Sequence, residues 1–175
     1  MYFKEHPVEF FTATNLNWLP ILANEFHKKI LIEALQHRVI AKEIIVYAFV
    51  IMPNHFHIIW QVQNGVKRND FQRDFMKFTA RSILMFMRMH DDPMLKDLIV
   101  KASDRKYQIW ERNSLAIPLF TDKVFMQKLD YIHNNPIQPK WQLSKTPEAY
   151  LYSSAKFYEN GGGENLGILT HFLDG

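Results

Sequence analysis

Residues 44 to 63 constrain the fold more than any other stretch. Two runs of strand length, Ile44 to Met52 and His55 to Gln63, are separated only by Pro53-Asn54, and Asn64-Gly65 closes the second. The first run is apolar almost throughout, which predicts a strand buried on both faces, and the two punctuating pairs are turn formers. Neither run approaches the about 20 residues needed to cross a bilayer, so no membrane partner is expected.

The remaining elements fall around this pair. Val8 to Asn15 is rich in aromatic and β-branched residues and predicts a first strand. Asn24 is an N-cap for a helix running to about Arg38, with Phe26, Ile30, Leu31, Ala34 and Leu35 at helical spacing. From Asn69 to Met89 the period is again helical: Phe71, Phe75, Phe78 and Met85 mark an apolar face, and Arg73, Lys77 and Arg81 form a row at i, i+4, i+8. Tyr107 to Trp110 and Leu115 to Phe120 read as a fourth strand with an interruption. Thr121 or Asp122 caps a last helix through Ile132 with Phe125, Leu129 and Ile132 as its core stripe, and Pro136 is expected to stop it, because the residue before a proline is pushed out of the α region. The order β-α-β-β-α-β plus a helix predicts an α+β, ferredoxin-like antiparallel sheet with helices on one face and a further C-terminal helix. Residues 1–158 are expected to form one domain, and Gly161-Gly162-Gly163 to open a short tail over 159–175.

That fold hosts many functions, so the chemistry must come from particular side chains. On a strand, positions two apart share a face and stand roughly 6.5–7 Å apart at the backbone. His55 and His57 can therefore converge on one ion while Phe56 points the other way, into the core. A His-x-His pair by itself is more often structural than metal-binding. The second concentration of polar chemistry is Asp130-Tyr131-Ile132-His133-Asn134-Asn135-Pro136. Tyr131 and Asn135 lie four apart and share a helix face, Lys128 sits one turn before Tyr131, and Ile132 points to the buried side. Asn135 also has a plain reading as a helix C-cap or turn former, and His133 reads as a surface or packing residue.

Taken together, Met52-Pro53-Asn54-His55-Phe56-His57-Ile58-Ile59-Trp60 and the downstream Asp130 to Pro136 segment resemble the HUH single-tyrosine transposases, in particular the REP-associated tyrosine transposase-like branch of the IS200-like superfamily. Phe75 to Arg81, Tyr107 to Arg112 and Tyr152-Ser153-Ser154 resemble further segments of that family, and the likeness spans roughly residues 8 to 158. The resemblance implies DNA strand cleavage and rejoining on single-stranded hairpin or repeat-end DNA. It implies a divalent metal, Mg²⁺ or Mn²⁺, held by His55, His57 and Asn135, and attack by Tyr131 to leave a 5′-phosphotyrosine, with Lys128 assisting. One departure stands out: where many relatives carry a His-containing segment on the fourth strand, this chain has Asn113-Ser114-Leu115-Ala116-Ile117-Pro118.

Composition is compatible with this reading. The absence of cysteine excludes disulfides and thiolate metal sites, leaving His, Asp, Glu, Asn or Gln as ligands. A net charge of +3 and a pI near 9.0 permit a polyanionic partner. Arg73, Lys77 and Arg81, with Lys67 and Arg68, are candidate DNA-backbone contacts, although such a row is commonly a solvated helix face. The 14 Phe, 7 Tyr and 4 Trp supply a core and surplus rings on which bases could stack. The N-terminal residues lack the apolar segment of a signal peptide, and a soluble, cytoplasmic protein is expected. Monomer and homodimer are both open, since some relatives exchange the tyrosine helix between subunits. Two other readings stay open: a nucleic-acid-binding descendant that has lost turnover, and a metal-dependent hydrolase in which the His pair activates water.

Overall fold

The computed structural model describes residues 6–162 and 167–175. Four strands, β1 (Glu9–Thr14), β2 (Ile44–Ile51), β3 (His55–Val62) and β4 (Leu115–Pro118), form one antiparallel sheet in the order β2-β3-β1-β4. The helices are α1 (Glu25–Ile40), α2 (Arg68–Met89), α3 (Asp122–Asn134) and a short α4 (Ala155–Glu159). This is the expected ferredoxin-like arrangement.

Side-chain alternation along β3 divides the molecule. Trp60 packs on Phe71 and Phe75 of α2, and Phe56 packs on Phe75 and Trp110, so the even positions face α1 and α2. His55, His57, Ile59 and Gln61 face the other way, where α3 crosses β2 and β3. Every residue of β3 is buried, as is nearly all of β2, because helices cover both faces of the sheet. A bulge in β2 between Val46 and Ala48 adds one residue opposite β3. It leaves Tyr47 beside Phe125 of α3 and within hydrogen-bonding reach of Gln61.

The N-caps predicted for the first and last helices, Asn24 and Thr121, both work. Asn24 Oδ1 accepts from the Phe26 amide at 2.9 Å, and Thr121 Oγ1 accepts from Val124 at 3.3 Å, each satisfying one of the donors a helix start leaves unpaired. Three predicted core aromatics and methionines are corrected. Phe26, Phe78 and Met85 are 57%, 53% and 59% exposed. In α1 the buried positions are His27, Lys28, Leu31, Ala34 and Leu35, so Phe26 is turned about 100° away from that stripe and stacks on Phe86 instead. In α2 the buried row is Phe71, Phe75, Thr79, Ile83 and Met87, an i, i+4 series that winds about 40° per step, leaving the i+7 positions behind.

Two further expectations change. Residues 107–110 do not extend β4; Tyr107 and Trp110 make isolated bridges to Ile99 and Asn15, and the Trp110 indole N–H donates to Thr79 Oγ1 at 3.1 Å. Pro136 does not push Asn135 out of the α region: Asn135 has φ −57° and ψ −46°, and the chain tightens into a 3₁₀ turn over Asn135–Ile137. The last turn of α3 thus continues past Tyr131 with Asn135 still in helical register.

The outer edge of β2 is covered by chain from the C-terminal region. Ile51 donates to the Tyr152 carbonyl, Ser154 to the Phe49 carbonyl and Thr170 to the Val46 carbonyl, all at 2.9 Å. This pairing shields an otherwise exposed strand edge. Part of the Gly-rich join, Gly163, lies outside the described residues, whereas Ile168 and Leu169 of the tail are buried against the sheet.

Candidate metal and tyrosine site

The α3 face of the sheet brings His55, His57 and Tyr131 together within one chain. The two imidazole centroids are 4.8 Å apart, and the Tyr131 ring lies 5.2 Å from that of His57. Sheet register explains what holds them. Thr12 lies opposite His57 on β1, and its hydroxyl meets His57 Nδ1 at 2.7 Å. His55 Nδ1 lies 2.7 Å from Asn54 Oδ1, a carbonyl oxygen that can only accept, which fixes the proton on Nδ1 and the lone pair on Nε2. A supporting partner on one ring nitrogen, leaving the other free, is how proteins orient imidazoles toward a metal.

Burial sets the charge of the pair. Desolvation lowers His55 to about 4, with Lys140 adding to the effect. His57 is lowered to about 3 by burial, then by His55, Lys128 and Lys140. Both rings are therefore neutral at pH 7, as ligation requires. Among the described residues, His57 Nε2 and Asn135 Oδ1 are buried without a hydrogen-bond partner. Buried polar atoms are nearly always partnered, so a ring nitrogen and an amide oxygen left without partners are atoms that a bound cation would satisfy. No group of three His, Cys, Asp or Glu residues assembles among the described residues, so a third protein ligand here would come from another residue type.

Tyr131 is 43% exposed at the edge of this cluster, while Ile132 beneath it is fully buried. Lys128 Nζ stands 4.7 Å from the Phe10 ring and 5.8 Å from the Tyr131 ring, and Phe10 itself stacks on His57 at 5.3 Å. The helix carrying Tyr131 is tied down through His133, whose Nε2 lies 2.9 Å from Ser154 Oγ, the same side chain that accepts from the Phe49 amide of β2. Burial lowers His133 to about 4, so this link is a neutral hydrogen bond. The packing reading of His133 is what the structure presents.

The five basic residues singled out in sequence lie at or near the α2 side of the sheet, away from the His pair. Arg68 ion-pairs with Glu9, which is 2% exposed and whose carboxyl is raised by burial against the opposing pull of Arg68. Arg73 pairs with Asp70 at 2.8 Å and Asp74 at 3.0 Å. Lys67, Lys77 and Arg81 are exposed and have no ion pair among the described residues. Arg73 and Lys77 line a cleft of ≈ 510 Å³ with Arg105 and Arg112.

Sequence reasoning did not single out Thr12, Asn54, Phe10, Trp18, Lys140 or Trp141. The two tryptophans both touch His55, Trp141 at 5.5 Å and Trp18 at 6.2 Å between ring centroids. Thr12 carries a weak signal, since it shares a strand face with Phe10, but only the register with β3 places it on His57.

A four-stranded antiparallel sheet with a tyrosine-bearing helix on the face of the His pair is a fold this chain shares with solved structures. A solved structure with this fold is a REP-associated tyrosine transposase bound to a REP hairpin, with a TM-score of 0.65 and 19% identity over all of this chain and 93% of the other. A structure from Deinococcus radiodurans R1, described as a transposase, overlaps with a TM-score of 0.49 and 16% identity over 77% of this chain and 92% of its own. Neither a family model nor a curated protein matches the chain.

Proposed function

We propose that the protein is a divalent-metal-dependent tyrosine transposase that cleaves and rejoins single-stranded DNA at a hairpin or repeat end. The observation that carries the reading is the meeting of His55, His57 and Tyr131 on one sheet face of one chain, with His57 Nε2 and Asn135 Oδ1 buried and unpartnered. The shared fold with a transposase bound to a DNA hairpin supports it.

His55, His57 and Asn135 would hold the ion, and a Mg²⁺ or Mn²⁺ bound there would polarise the scissile phosphate and offset charge developing on its oxygens. Asn54 keeps His55 in the ligating tautomer, and Thr12 orients His57 through its Nδ1. Tyr131 Oη attacks phosphorus, forming a phosphotyrosyl ester as the bond to the 3′ oxygen breaks; the phenol gives up its proton and the departing oxygen takes one up as a 3′-OH. An unperturbed phenol has a pKa of about 10, so the phenolate needs a nearby positive charge, which Lys128 supplies. Because the ester keeps the energy of the phosphodiester, a second 3′-OH can displace Tyr131 without ATP. Lys67, Lys77 and Arg81 are free to meet DNA phosphates, whereas Arg68 and Arg73 are engaged with acids.

Single-stranded hairpin oligonucleotides incubated with Mn²⁺ should give a covalent protein–DNA adduct on a denaturing gel, and Tyr131→Phe should reduce it to background. Failure to form an adduct with any hairpin substrate, or an adduct that survives Tyr131→Phe, overturns the reading.

A further inference from the structure

Trp18 occupies an unusual position. It is 62% exposed, yet its backbone, like that of Asn17, sits in the left-handed region, with φ of 57° and 52°. Asparagine tolerates that conformation, but for tryptophan it is strained, and an indole exposed to water gives nothing back for it. The loop is nonetheless pinned there. Asn17 N donates to Glu111 Oε1 at 2.7 Å, Trp18 N donates to the Asn15 carbonyl at 3.0 Å, and Asn54 Nδ2 donates to the Trp18 carbonyl at 3.3 Å. The same Asn54 accepts from His55 through its other end. One side chain therefore fixes both the ligating tautomer of His55 and the position of Trp18.

What this arrangement holds in place is an aromatic face at the mouth of the site. The indole lies against His55 on one side and lines an open cleft of ≈ 520 Å³ with Thr14, Gln108, Glu111, Arg112 and Asn113 on the other. That volume is in the range of small-ligand sites, which run from about 300 to 1,000 Å³. Thr14 is the register partner of His55, so the cleft begins where the His pair ends. Its lining is polar apart from Trp18; Arg112 brings a guanidinium to it, paired at 3.7 Å with Asp104, and the Glu111 carboxylate is taken up by the Asn17 amide. An aromatic platform with hydrogen-bonding groups and a nearby cation is the chemistry that binds an unpaired nucleotide.

We propose that Trp18 is the stacking surface for an unpaired base of the strand that reaches the His55 and His57 centre, seated in the cleft beside it. The proposal rests on the DNA-cleaving reading above and names how that site grips its substrate. Trp18 is a positioning residue: it holds the strand beside the ions' ligands and takes no part in bond making.

The test uses the full-length protein and two labelled ten-nucleotide strands, oligothymidylate and the same sugar–phosphate backbone without bases, compared by fluorescence anisotropy in Mg²⁺. Wild type should bind oligothymidylate more tightly than the abasic strand. Trp18→Ala should weaken thymidylate binding between about 5- and 150-fold, the range for loss of one stacked base, and leave abasic binding unchanged. Trp18→Phe should restore most of the difference, and the salt dependence of binding should be the same in all three, because no phosphate contact is removed. Trp18→Gly should melt no lower than wild type, since glycine tolerates this φ. Equal loss on both strands, a Trp18→Gly protein that melts lower, or no effect of Trp18→Ala on bound thymidylate overturns the proposal while leaving the adduct assay with Tyr131 standing. No binding of either strand overturns it together with the DNA reading.

Discussion

Replacing Asn135 with leucine separates a metal ligand from a structural cap, because the two roles predict opposite effects. Asn135 is 2% exposed and its Oδ1 has no partner among the described residues. A buried polar atom in that state costs about 1–3 kcal/mol. Leucine is close in volume and has no polar atom, so metal-free Asn135→Leu should hold or gain up to that amount. A chain of this size shifts by about 2–4 °C per kcal/mol, which makes the gain visible in a melt with chelator present. A helix-capping role predicts the reverse, but Asn135 is in right-handed helical geometry and has no need of asparagine's tolerance for the left-handed region. With Mn²⁺ at one hundred times its dissociation constant, wild type should gain about 2.7 kcal/mol, or about 5–11 °C. Asn135→Leu should lose most of that gain. A variant that is stable without metal and indifferent to it cannot be explained by damage to the fold. If Mn²⁺ fails to shift wild type, or shifts Asn135→Leu equally, the ligand assignment is wrong.

Three further outcomes follow from other parts of the molecule. Thr12→Val removes the hydroxyl beside His57 Nδ1 while keeping its shape, and should weaken Mn²⁺ binding about 10- to 100-fold by titration; an unchanged affinity would exclude Thr12 as a support of the metal site. Arg68→Ala strands the buried Glu9 carboxylate and should cost roughly 3 kcal/mol in urea unfolding, the low end for a broken buried pair because Arg68 itself is partly solvated. A cost near zero would show that Glu9 is already neutral. Burial holds His27 below its ordinary value, with its Nδ1 donating to the Ile21 carbonyl at 2.7 Å. Its folded pKa is thus below its unfolded one, so its contribution to stability is whole above about pH 6.5 and is lost as the pH falls below it. His27→Gln should flatten the decline in metal-free stability from pH 7 to pH 5 measured by urea unfolding, and an undiminished slope would refute the assignment.

Much of the frame was legible in one dimension because it depends on local rules. The apolar run from Ile44, the turn at Pro53-Asn54 and the period of two in β3 fix a hairpin and place His55 and His57 on one face. The caps at Asn24 and Thr121 are side chains bonding to backbone two or three residues away, and they could be read from the sequence. The i, i+4 spacing that puts Tyr131 and Asn135 on one side of a helix is equally local. Local periodicity failed where burial depends on what lies opposite: Phe26, Phe78 and Met85 sit on apolar stripes wider than the surface that covers them. It failed again at Asn135, where the rule for residues before proline gave way to a helix that tightens into a 3₁₀ turn.

The chain alone thus determined which side chains are candidates for the chemistry and which face of their own element each occupies. Only the tertiary structure decided what stands across from them. The register of β1 against β3 puts Thr12 on His57, and the path of α3 over the sheet brings Tyr131 to His57 within one chain. Two left-handed residues hold Trp18 beside His55, and the turn after α3 delivers Trp141 to the same ring. These pairings join residues far apart in sequence, and they are set by strand register and helix packing, which follow from the shape of the whole core and not from any local pattern.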